Sequence, residues 1–569
     1  MFDYRGMMWA VFALLIIGGH APSSAQNRVR ATGQELTLPS ARIAASGLPI
    51  KCGLQDAVFV QQNRANFSIA QQNEFKGYVV RPPLENSYVS PTGRFKVHYN
   101  ISGVHGIDTT TTNSAGVPDW VYEAALAAEV AYDVLVNEIG FNPHLSDNGI
   151  DGPECDIYIV DTGAWFGESY YGATVPESAS GSGYISYMTV ENDFAENFYT
   201  KGLDALRVTI AHEYFHTIHY GYRYRDEDLF FWEMSSTWFE DRAYPEINDY
   251  YVYLPSFFRS MDDPLHTQDG WHEYGSCIFL KYLLNTQGEG TLLTIWNTLS
   301  SLQAVYAMDS ALKEKGNNFV EALAEFAGWC FYTGSRAQQG SYFEDAAEFP
   351  RVRYRDQVDV QGEMTLNDST RALSVQFFQF KVDASSDFRV EAGSAGSGIF
   401  GLAGNSEQLT GELGLLQVRG ASVPFALAAM ENDGLVNLAV VNGALPSDVK
   451  KTTSLLPPAR YSLDIRLQAL EPQPAGFLPA RPNPFIPTQH GSVTLLYNLL
   501  ESATVSLKIV SEAGQPVLEE QLGRRGQGLF SYDWNGKNRD GANVASGIYL
   551  AILTTSTSEH FMTKIAVLR

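Results

Sequence analysis

The sequence is poor in cysteine, histidine and basic residues. Its 569 residues include 4 Cys and 11 His, and 39 Lys+Arg stand against 64 Asp+Glu, for a formal net charge of -25. A surface this acidic repels phosphate backbones and anionic lipids, so binding to nucleic acid or to a membrane surface is not expected. No two cysteines are spaced as CxxC, which argues against a structural zinc knot.

Long apolar runs are also scarce. One lies at Met7–Ile17, between Arg5 and the small residues Ser23, Ser24 and Ala25. It is shorter than the ~20 residues that a membrane-spanning helix needs, and its flanks are typical of secretion signals. We therefore predict a signal peptide over 1–25 and an exported mature chain without a transmembrane span. A membrane anchor is the alternative.

Export changes what the four cysteines are expected to do, because disulfides persist in oxidising compartments. Cys52, Cys155, Cys277 and Cys330 allow three full pairings, and the sequence does not choose between them. We expect disulfides, with a bond between Cys52 and Cys155 as one candidate.

Patterning predicts a multidomain chain, because 569 residues exceed what one core holds. Residues 26–88 are polar with weak periodicity, which indicates a pro-segment or N-terminal extension. Strand and helix patterns over 89–350 predict an α+β domain. Short alternating runs over 351–470 predict a β-sandwich. Residues 471–479 have the composition of a linker, and the short strand and turn patterns over 480–569 predict a second β-sandwich.

Within the α+β region, four elements have clear patterns. Phe95–Tyr99 and Asp156–Val160 read as strands. Residues 119–139 carry apolar side chains at helical spacing after Pro118, and Leu203–Tyr222 has the pattern of a further helix.

The second of these helices contains His212-Glu213-Tyr214-Phe215-His216, an HExxH pattern. Residues i and i+4 share one face of a helix, so two imidazoles can converge on one ion. Glu213 can then reach a metal-bound water without being a ligand. Zinc lowers the pKa of that water, and the carboxylate takes its proton as the water attacks a carbonyl. The alternative is two unrelated histidines on a helix.

A catalytic zinc needs a third protein ligand. The HExxHxxGxxH pattern does not supply it, since position 219 is His and position 222 is Tyr. Glu233 and Glu240 lie seven residues apart, hence on one face of a second predicted helix, and either could complete a two-His, one-Glu site.

These motifs resemble a known family. HEYFH at 212–216, followed by WE at 232–233 and WFED at 238–241, is similar to the gluzincin group of zinc peptidases, which includes thermolysin. The likeness is greatest to secreted bacterial metallopeptidases typified in myxobacteria, with HEFFH-like and MEGTATWMED-like motifs. It covers roughly 90–300, also through GVPD at 116–119 and CDIY at 155–158.

The resemblance implies a gluzincin-like α+β domain, with Glu233 as the third zinc ligand and Glu240 orienting an imidazole. Met234-Ser235-Ser236 stands where the family favours Gly-Thr-Ala, which implies a pocket of different shape. Gluzincins often use a downstream Tyr or His as the oxyanion donor, so Tyr274 is our candidate and His272 the second. An ordinary packed Tyr is the alternative, and His219 is expected to be a neighbour on the helix rather than a ligand.

Two weaker signals remain in this region. Lys51-Cys52-Gly53 is similar to the latency cysteine of some zinc proteases, whose thiolate takes the fourth zinc position. The disulfide is the preferred interpretation of Cys52. Residues 147–152 begin like a calcium loop, yet position 12 is Tyr158 and not the required Glu, so a polar turn is favoured and calcium stays a possible second cofactor.

The C-terminal region has its own resemblance. RPNPF at 481–485, YDWNG at 532–536, SGIY at 546–549 and the end KIAVLR at 564–569 are similar to the Ig-like sorting domain of type IX secretion substrates, related to the flagellar hook-cap Ig-like domain. This implies a Gram-negative bacterium, contact with the secretion machinery of the outer membrane, and release or attachment at the cell surface. A substrate-binding module is the alternative.

We therefore predict a secreted zinc metallopeptidase that acts on proteins or peptides, with an endopeptidase favoured. The rival hypothesis is a non-catalytic cell-surface binding or adhesion protein with a vestigial zinc site. Hydrolysis of another amide or an ester is a third alternative, because the zinc chemistry is shared.

Overall fold

A computed structural model describes most of the chain, and the chain divides into two compact units. The first is built mainly from residues up to 322 and the second mainly from residues after 350. The described residues are 28–31, 34–42, 49–67, 73–113, 116–195, 197–338, 340–382, 386–395, 400–407, 417–420, 425–428, 434–445, 458–469, 475–487, 491–526 and 528–569. The signal peptide predicted over 1–25 lies outside them.

The first unit contains one mixed sheet of six strands and a two-stranded hairpin. The strands are β1 (Arg28–Ala31), β2 (Gln34–Thr37), β3 (Ile50–Cys52), β4 (Asn86–Val89), β5 (Phe95–Tyr99), β6 (Cys155–Val160), β7 (Tyr170–Ser180) and β8 (Gly183–Glu191). The sheet order is β3-β7-β8-β6-β5-β4. β3 is parallel to β7, and β7 is antiparallel to β8.

Among the described residues, helices lie between the strands of the sheet and after them. They are α1 (Leu54–Asn63), α2 (Asp119–Tyr132), α3 (Thr162–Phe166), α4 (Gly202–Tyr222), α5 (Leu229–Ala243), α6 (Leu254–Arg259), α7 (His272–Gly275), α8 (Cys277–Gln287), α9 (Gly290–Thr298), α10 (Ala304–Glu314) and α11 (Phe319–Trp329). Short 3-10 helices span Pro39–Arg42, Arg64–Asn66, Lys76–Tyr78, Asp226–Asp228, Asp249–Val252 and Gly334–Arg336. A π-helix, Asp133–Ile139, continues α2.

Helix α4 is the centre of this unit. It packs against β7 and β8 of the sheet and against α2 and α5. Because it is covered on several sides, its residues from Val208 to Tyr220 are all buried, the polar residues of the motif among them. The strands and helices predicted around 95–99, 119–139, 156–160 and 203–222 are confirmed, the second as an α-helix with a π-helical end.

The second unit is rich in β-structure. Its first group of strands is β9 (Asp356–Asp359), β10 (Glu363–Thr370), β11 (Ser374–Lys381), β12 (Ser386–Ala395), β13 (Phe400–Glu407), β14 (Gln417–Gly420), β15 (Phe425–Ala428), β16 (Leu435–Asn442) and β17 (Ala459–Ala469). They form two sheets, β10-β17-β12-β15 and β14-β13-β16-β11-β9. One apolar core joins Phe380 and Leu438 of the second sheet to Phe388 and Leu463 of the first, as in a β-sandwich.

A second sandwich-like pair of sheets follows. Its strands are β18 (Gly476–Phe477), β19 (Val493–Leu499), β20 (Ala503–Ser511), β21 (Pro516–Arg525), β22 (Gly528–Trp534), β23 (Gly547–Thr555) and β24 (His560–Val567), in the sheets β18-β19-β22 and β21-β20-β23-β24. Their facing side chains share one core, which includes Leu495, Trp534, Leu507 and Ile565. The chain is thus multidomain, with an α+β region followed by β-sandwich-like sheets.

Two expectations differ from the structure. Residues 476–477 fall in the predicted linker over 471–479, yet they pair with β19, and residues 471–474 lie outside the described part. The predicted disulfides are wrong, because all four cysteines are free and buried. Cys52 and Cys155 lie on β3 and β6, which β7 and β8 separate. Three strand spacings amount to about 14 Å, well beyond the reach of a disulfide.

In the part of the chain that the structure describes, no helix combines the length and the apolar character needed to cross a membrane.

Candidate metal centre

The HExxH motif lies in the middle of α4, where the helix faces both the sheet and α5. His212 is 1% exposed, and Glu213 and His216 are fully buried. The helical spacing places both imidazoles on the face that meets α5, whose residue Glu233 is also fully buried. The motif therefore meets a carboxylate from the next helix in a site without contact to bulk water.

Three side-chain atoms converge there at the spacing of metal ligands. Nε2 of His212 lies 3.0 Å from Nε2 of His216 and 3.1 Å from Oε2 of Glu233. Nε2 of His216 lies 3.4 Å from the same carboxylate oxygen. Ligand atoms at 2.0–2.1 Å from a tetrahedral zinc ion are about 3.3 Å apart. The three atoms therefore have the mutual separations that a zinc ion requires.

The protonation of these groups also suits a cation. Burial lowers the pKa of His212 and of His216 to about 3, so both imidazoles are neutral and each has a lone pair to donate. Among the described residues, Oε1 of Glu233 is a buried oxygen without a hydrogen-bond partner. Buried polar atoms are almost always paired, so an unpaired carboxylate oxygen beside two neutral imidazoles fits a bound metal ion.

Glu240 lies behind His212 rather than among the ligand atoms. Nδ1–H of His212 donates to Oε1 of Glu240 over 2.6 Å, and the ammonium of Lys51 donates to the other oxygen over 2.8 Å. Lys51 also donates to Asp249 over 2.5 Å. Although burial opposes its charge, the pKa of Lys51 is raised because it lies between two carboxylates. These linked hydrogen bonds fix the orientation of the His212 ring.

His216 is held from behind by a third histidine. Its Nδ1 atom lies 3.2 Å from Nδ1 of His219 and 3.4 Å from Oγ of Ser236. The His219 ring stacks on Trp296, with 4.0 Å between the centroids. His219 is therefore a packed neighbour that orients His216, and its place on the far side of that ring keeps it out of the ligand set.

Glu213 is held by the sheet. The hydroxyl of Thr174, on β7, lies 2.7 Å from Oε2 of Glu213 and can donate to it, while Oε1 has no hydrogen-bond partner among the described residues. Burial raises the pKa of Glu213 to about 8, and its hydrogen bond with Thr174 opposes the shift. At Gly172 a Cβ atom would lie 2.9 Å from Cγ of Glu213, so glycine allows α4 to approach β7 this closely.

Cys52 is the fourth potential ligand in this cluster. Its Sγ atom and one ligand atom each of His212, His216 and Glu233 all lie within 4.8 Å of one another, and all four residues are buried. The backbone N–H of Leu54 donates to the sulfur over 3.3 Å. The residue expected in a disulfide thus lies among the candidate metal ligands instead.

Two tyrosines lie beside the ligands. The ring of Tyr274 is 6.4 Å from that of His212, and burial holds its pKa well above the usual range, so its hydroxyl stays protonated. Tyr220, one turn after His216 on α4, has a buried hydroxyl without a partner among the described residues. His272 instead contacts Ser260, 3.2 Å away, and the ring of Phe257. The structure brings Tyr274 to the site, together with Tyr220, which sequence reasoning missed.

Arg81 contacts the segment 147–152, which the sequence offered as a possible calcium loop. Arg81 forms ion pairs with Asp147 at 3.0 Å and with Glu177 at 2.6 Å, and it also contacts Asp156. Asp147 accepts the N–H of Gly149 over 3.0 Å, as in a polar turn. The guanidinium offsets part of the negative charge of these carboxylates, and the contacts fit the favoured polar turn.

The sequence did not reveal the roles of Lys51, Thr174 and Asp249, because these roles depend on contacts across the fold. Lys51 is 189 residues from Glu240, and Thr174 is 39 residues from Glu213. Tyr220 could have been found, since it lies at i+4 from His216 on the same helix face.

Comparison with known proteins assigns families to two segments. Residues 486–559 match the FlgD Ig-like domain, and residues 121–328 match a family of unknown function, DUF6055. The second match includes the whole cluster except Lys51 and Cys52. No curated protein matches the chain.

The three solved structures described next each resemble only a small part of this chain. PorZ, an essential surface component of the type-IX secretion system of Porphyromonas gingivalis, is 21% identical over 19% of this chain and 14% of that one, with a TM-score of 0.14. FlgD from P. aeruginosa is 25% identical over 12% and 57%, with a TM-score of 0.12. PliG of Aeromonas hydrophila, a periplasmic inhibitor of g-type lysozyme, is 14% identical over 20% and 99%, with a TM-score of 0.14. Scores this low carry no conclusion about this chain.

Proposed function

We propose that the chain is a zinc-dependent peptidase of the gluzincin type, with His212, His216 and Glu233 as the zinc ligands. The convergence of their three ligand atoms within 3.0–3.4 Å carries this proposal. Two histidines one helical turn apart and a glutamate from the following helix are the donor set of a two-His, one-Glu catalytic site.

Zinc would supply a Lewis acid that polarises the substrate carbonyl and lowers the pKa of a water molecule. Glu213 would take the proton of the attacking water and deliver it to the leaving amine nitrogen. Its carboxylate suits this role because Thr174 holds one oxygen while the other is unpaired. A cation beside it favours the charged form and lowers its pKa from about 8 toward neutrality.

The developing oxyanion of the tetrahedral intermediate needs a hydrogen-bond donor. Tyr274 is our candidate, because its protonated hydroxyl belongs to a ring 6.4 Å from that of His212. Tyr220 is the second candidate, on the evidence of its buried, unpaired hydroxyl within the described part of the chain.

The substitution Glu213→Gln tests this mechanism. We expect it to lower peptide hydrolysis by about 10³-fold while about one zinc ion per chain remains, because glutamine keeps the shape and loses the base. The assay uses casein and zinc analysis on the chain from residue 26, with and without Cys52→Ala, since that thiol lies among the ligand atoms.

Glu191→Gln is the matched control for this substitution. Glu191 is also buried and held by a threonine, with Thr162 donating over 2.6 Å, but it is not among the potential metal ligands at the HExxH motif. It should leave both zinc content and hydrolysis unchanged. Full activity of Glu213→Gln would refute the assigned base.

The presence of Cys52 favours a second candidate function. Structural zinc sites are closed by four protein ligands, whereas catalytic sites keep one position open. A permanently closed site with Cys52 would suit a non-catalytic cell-surface binding protein. Zinc binding without hydrolysis in any variant, Cys52→Ala included, would support this candidate over the peptidase.

We also propose that the C-terminal domain directs the chain through type IX secretion to the outside of a Gram-negative cell. The match of residues 486–559 to the FlgD Ig-like domain supports this, together with the sequence likeness of the whole segment to sorting domains. The partner would be the secretion machinery of the outer membrane.

A further inference from the structure

The segment that carries Cys52 is packed into the sheet of the first unit as an edge strand. β3 has three residues and pairs with β7 in parallel. The backbone N–H of Ile50 donates to Ser169 over 2.8 Å, and that of Gly53 donates to Gly172 over 2.9 Å. The backbone at the end of β3 lies so close to β7 that a Cβ atom at Gly53 would be 2.8 Å from Cβ of Ala173. The end of β3 thus delivers Cys52 to the part of β7 that faces Glu213.

Buried polar contacts fasten this segment beside the metal centre. Lys51 joins it to Glu240, the residue that orients His212, and to Asp249. On α1, Nε2 of Gln55 donates to Glu273 over 3.0 Å. These contacts link the backbone position of Cys52 directly to the residues that surround the ligands.

Strand β7 is also where an extended peptide could bind. If β3 left the sheet, β7 would become its edge and would offer free backbone N–H and C=O groups, which commonly recruit an added strand. β7 carries Thr174, the partner of Glu213. A peptide on this edge would therefore run beside the catalytic base, in the place that β3 occupies.

We infer that Cys52 is the fourth metal ligand and that residues 49–67 act as an internal inhibitor, with β3 in the place of a substrate strand. This rests on the proposed peptidase function. Three protein ligands leave one position for water or substrate, and a fourth ligand fills it. The chain with Cys52 in place is latent, and displacement of this segment opens the fourth position and the edge of β7 together.

Cobalt substitution combined with Cys52→Ala tests the inference on the full chain from residue 26. A thiolate bound to Co²⁺ gives a near-ultraviolet charge-transfer band that His and Glu ligands do not give. We expect the band in the wild type and in Cys155→Ala, and its loss in Cys52→Ala. Cys155 is the matched control, because it is a buried cysteine of the same unit that lies outside the group of potential ligands.

Peptide hydrolysis by the zinc forms is the second measurement. We expect Cys52→Ala to hydrolyse peptides about 100-fold faster than the wild type, with about one zinc per chain in both. Without the sulfur–metal bond, only the short pairing of β3 and the contacts of its neighbours hold the segment in place, so it leaves more often. The factor of about 100 is the ratio for a closed state favoured about 99 to 1 in the wild type. Cys155→Ala should behave as the wild type.

Absence of the band in wild-type protein would overturn the ligand assignment, even if Cys52→Ala did not fold. A wild type as active as Cys52→Ala would overturn the inhibitory role. If the band is present and lost with Cys52, yet no form hydrolyses peptides, Cys52 is a ligand and it is the proposed peptidase function that fails.

Discussion

Nδ1 of His212 lies 2.6 Å from Oε1 of Glu240, which belongs to the following long helix. A carboxylate in this position fixes the imidazole as the tautomer with hydrogen on Nδ1, so the lone pair of Nε2 points at His216 and Glu233. Lys51 holds the other oxygen of Glu240. With β3 in the sheet, the order of the candidate metal centre therefore involves a residue from the N-terminal segment as well as the two central helices.

The hydroxyl of Thr174 gives a test of how the base is positioned. We expect Thr174→Val to lower kcat by about 10- to 100-fold in the Cys52→Ala chain, with zinc content unchanged, because it removes the hydrogen bond to Glu213. That bond lowers the pKa of Glu213. Its loss raises the pKa, so the acid limb of the kcat profile should move to higher pH.

Thr189→Val is the control for this prediction. Thr189 is equally buried, on the neighbouring strand β8, and its hydroxyl donates to the carbonyl of Ala173 rather than to Glu213. Thr189→Val removes one buried hydrogen bond, and Thr174→Val removes a hydroxyl that contacts both the carboxylate and the backbone carbonyl of Glu213. Loss of a buried hydrogen bond costs about 1–3 kcal/mol of stability. An equal pH shift in the two variants would show that Thr174 acts only through stability.

Truncation of the last sandwich tests its role in export. A chain that ends at Ala469 lacks strands β18 to β24 and should stay in the periplasm of a host with type IX secretion, while the full chain reaches the surface or the medium. Cell fractionation and immunoblotting measure this. The zinc content of the truncated chain should be unchanged, because the metal centre lies in the other unit. Normal export of the truncated chain would reject the sorting role.

The sequence predicted those parts of the fold that local pattern determines. The helix around 203–222 follows from apolar periodicity, and the strand at 95–99 follows from alternation, so both were correct. The pairing of β3 with β7 was not predictable, since β3 has only three residues and its partner lies 120 residues away. Such contacts depend on tertiary packing, to which a single sequence gives little access.

The prediction for Cys52 failed for the same reason, because its partner depends on tertiary packing. Export suggested a disulfide, because composition and compartment were the only guides to its partner. The structure places its sulfur with His212, His216 and Glu233, as the less favoured latency interpretation required. The choice depended on where an edge strand lies in the sheet, which spacing in the sequence does not reveal.

The ligand set is the central claim, and zinc affinity tests it most directly. The Cys52→Ala chain is the parent, and it is compared with Glu233→Ala and Glu240→Ala made in the same background, so that sulfur cannot replace a lost ligand. Circular dichroism verifies folding. We predict about one tightly bound zinc per chain in the parent, loss of zinc in Glu233→Ala, and an affinity about 10- to 100-fold weaker in Glu240→Ala, which removes only the partner of His212. Retention of tight zinc by folded Glu233→Ala, or its loss from Glu240→Ala alone, would contradict the assignment.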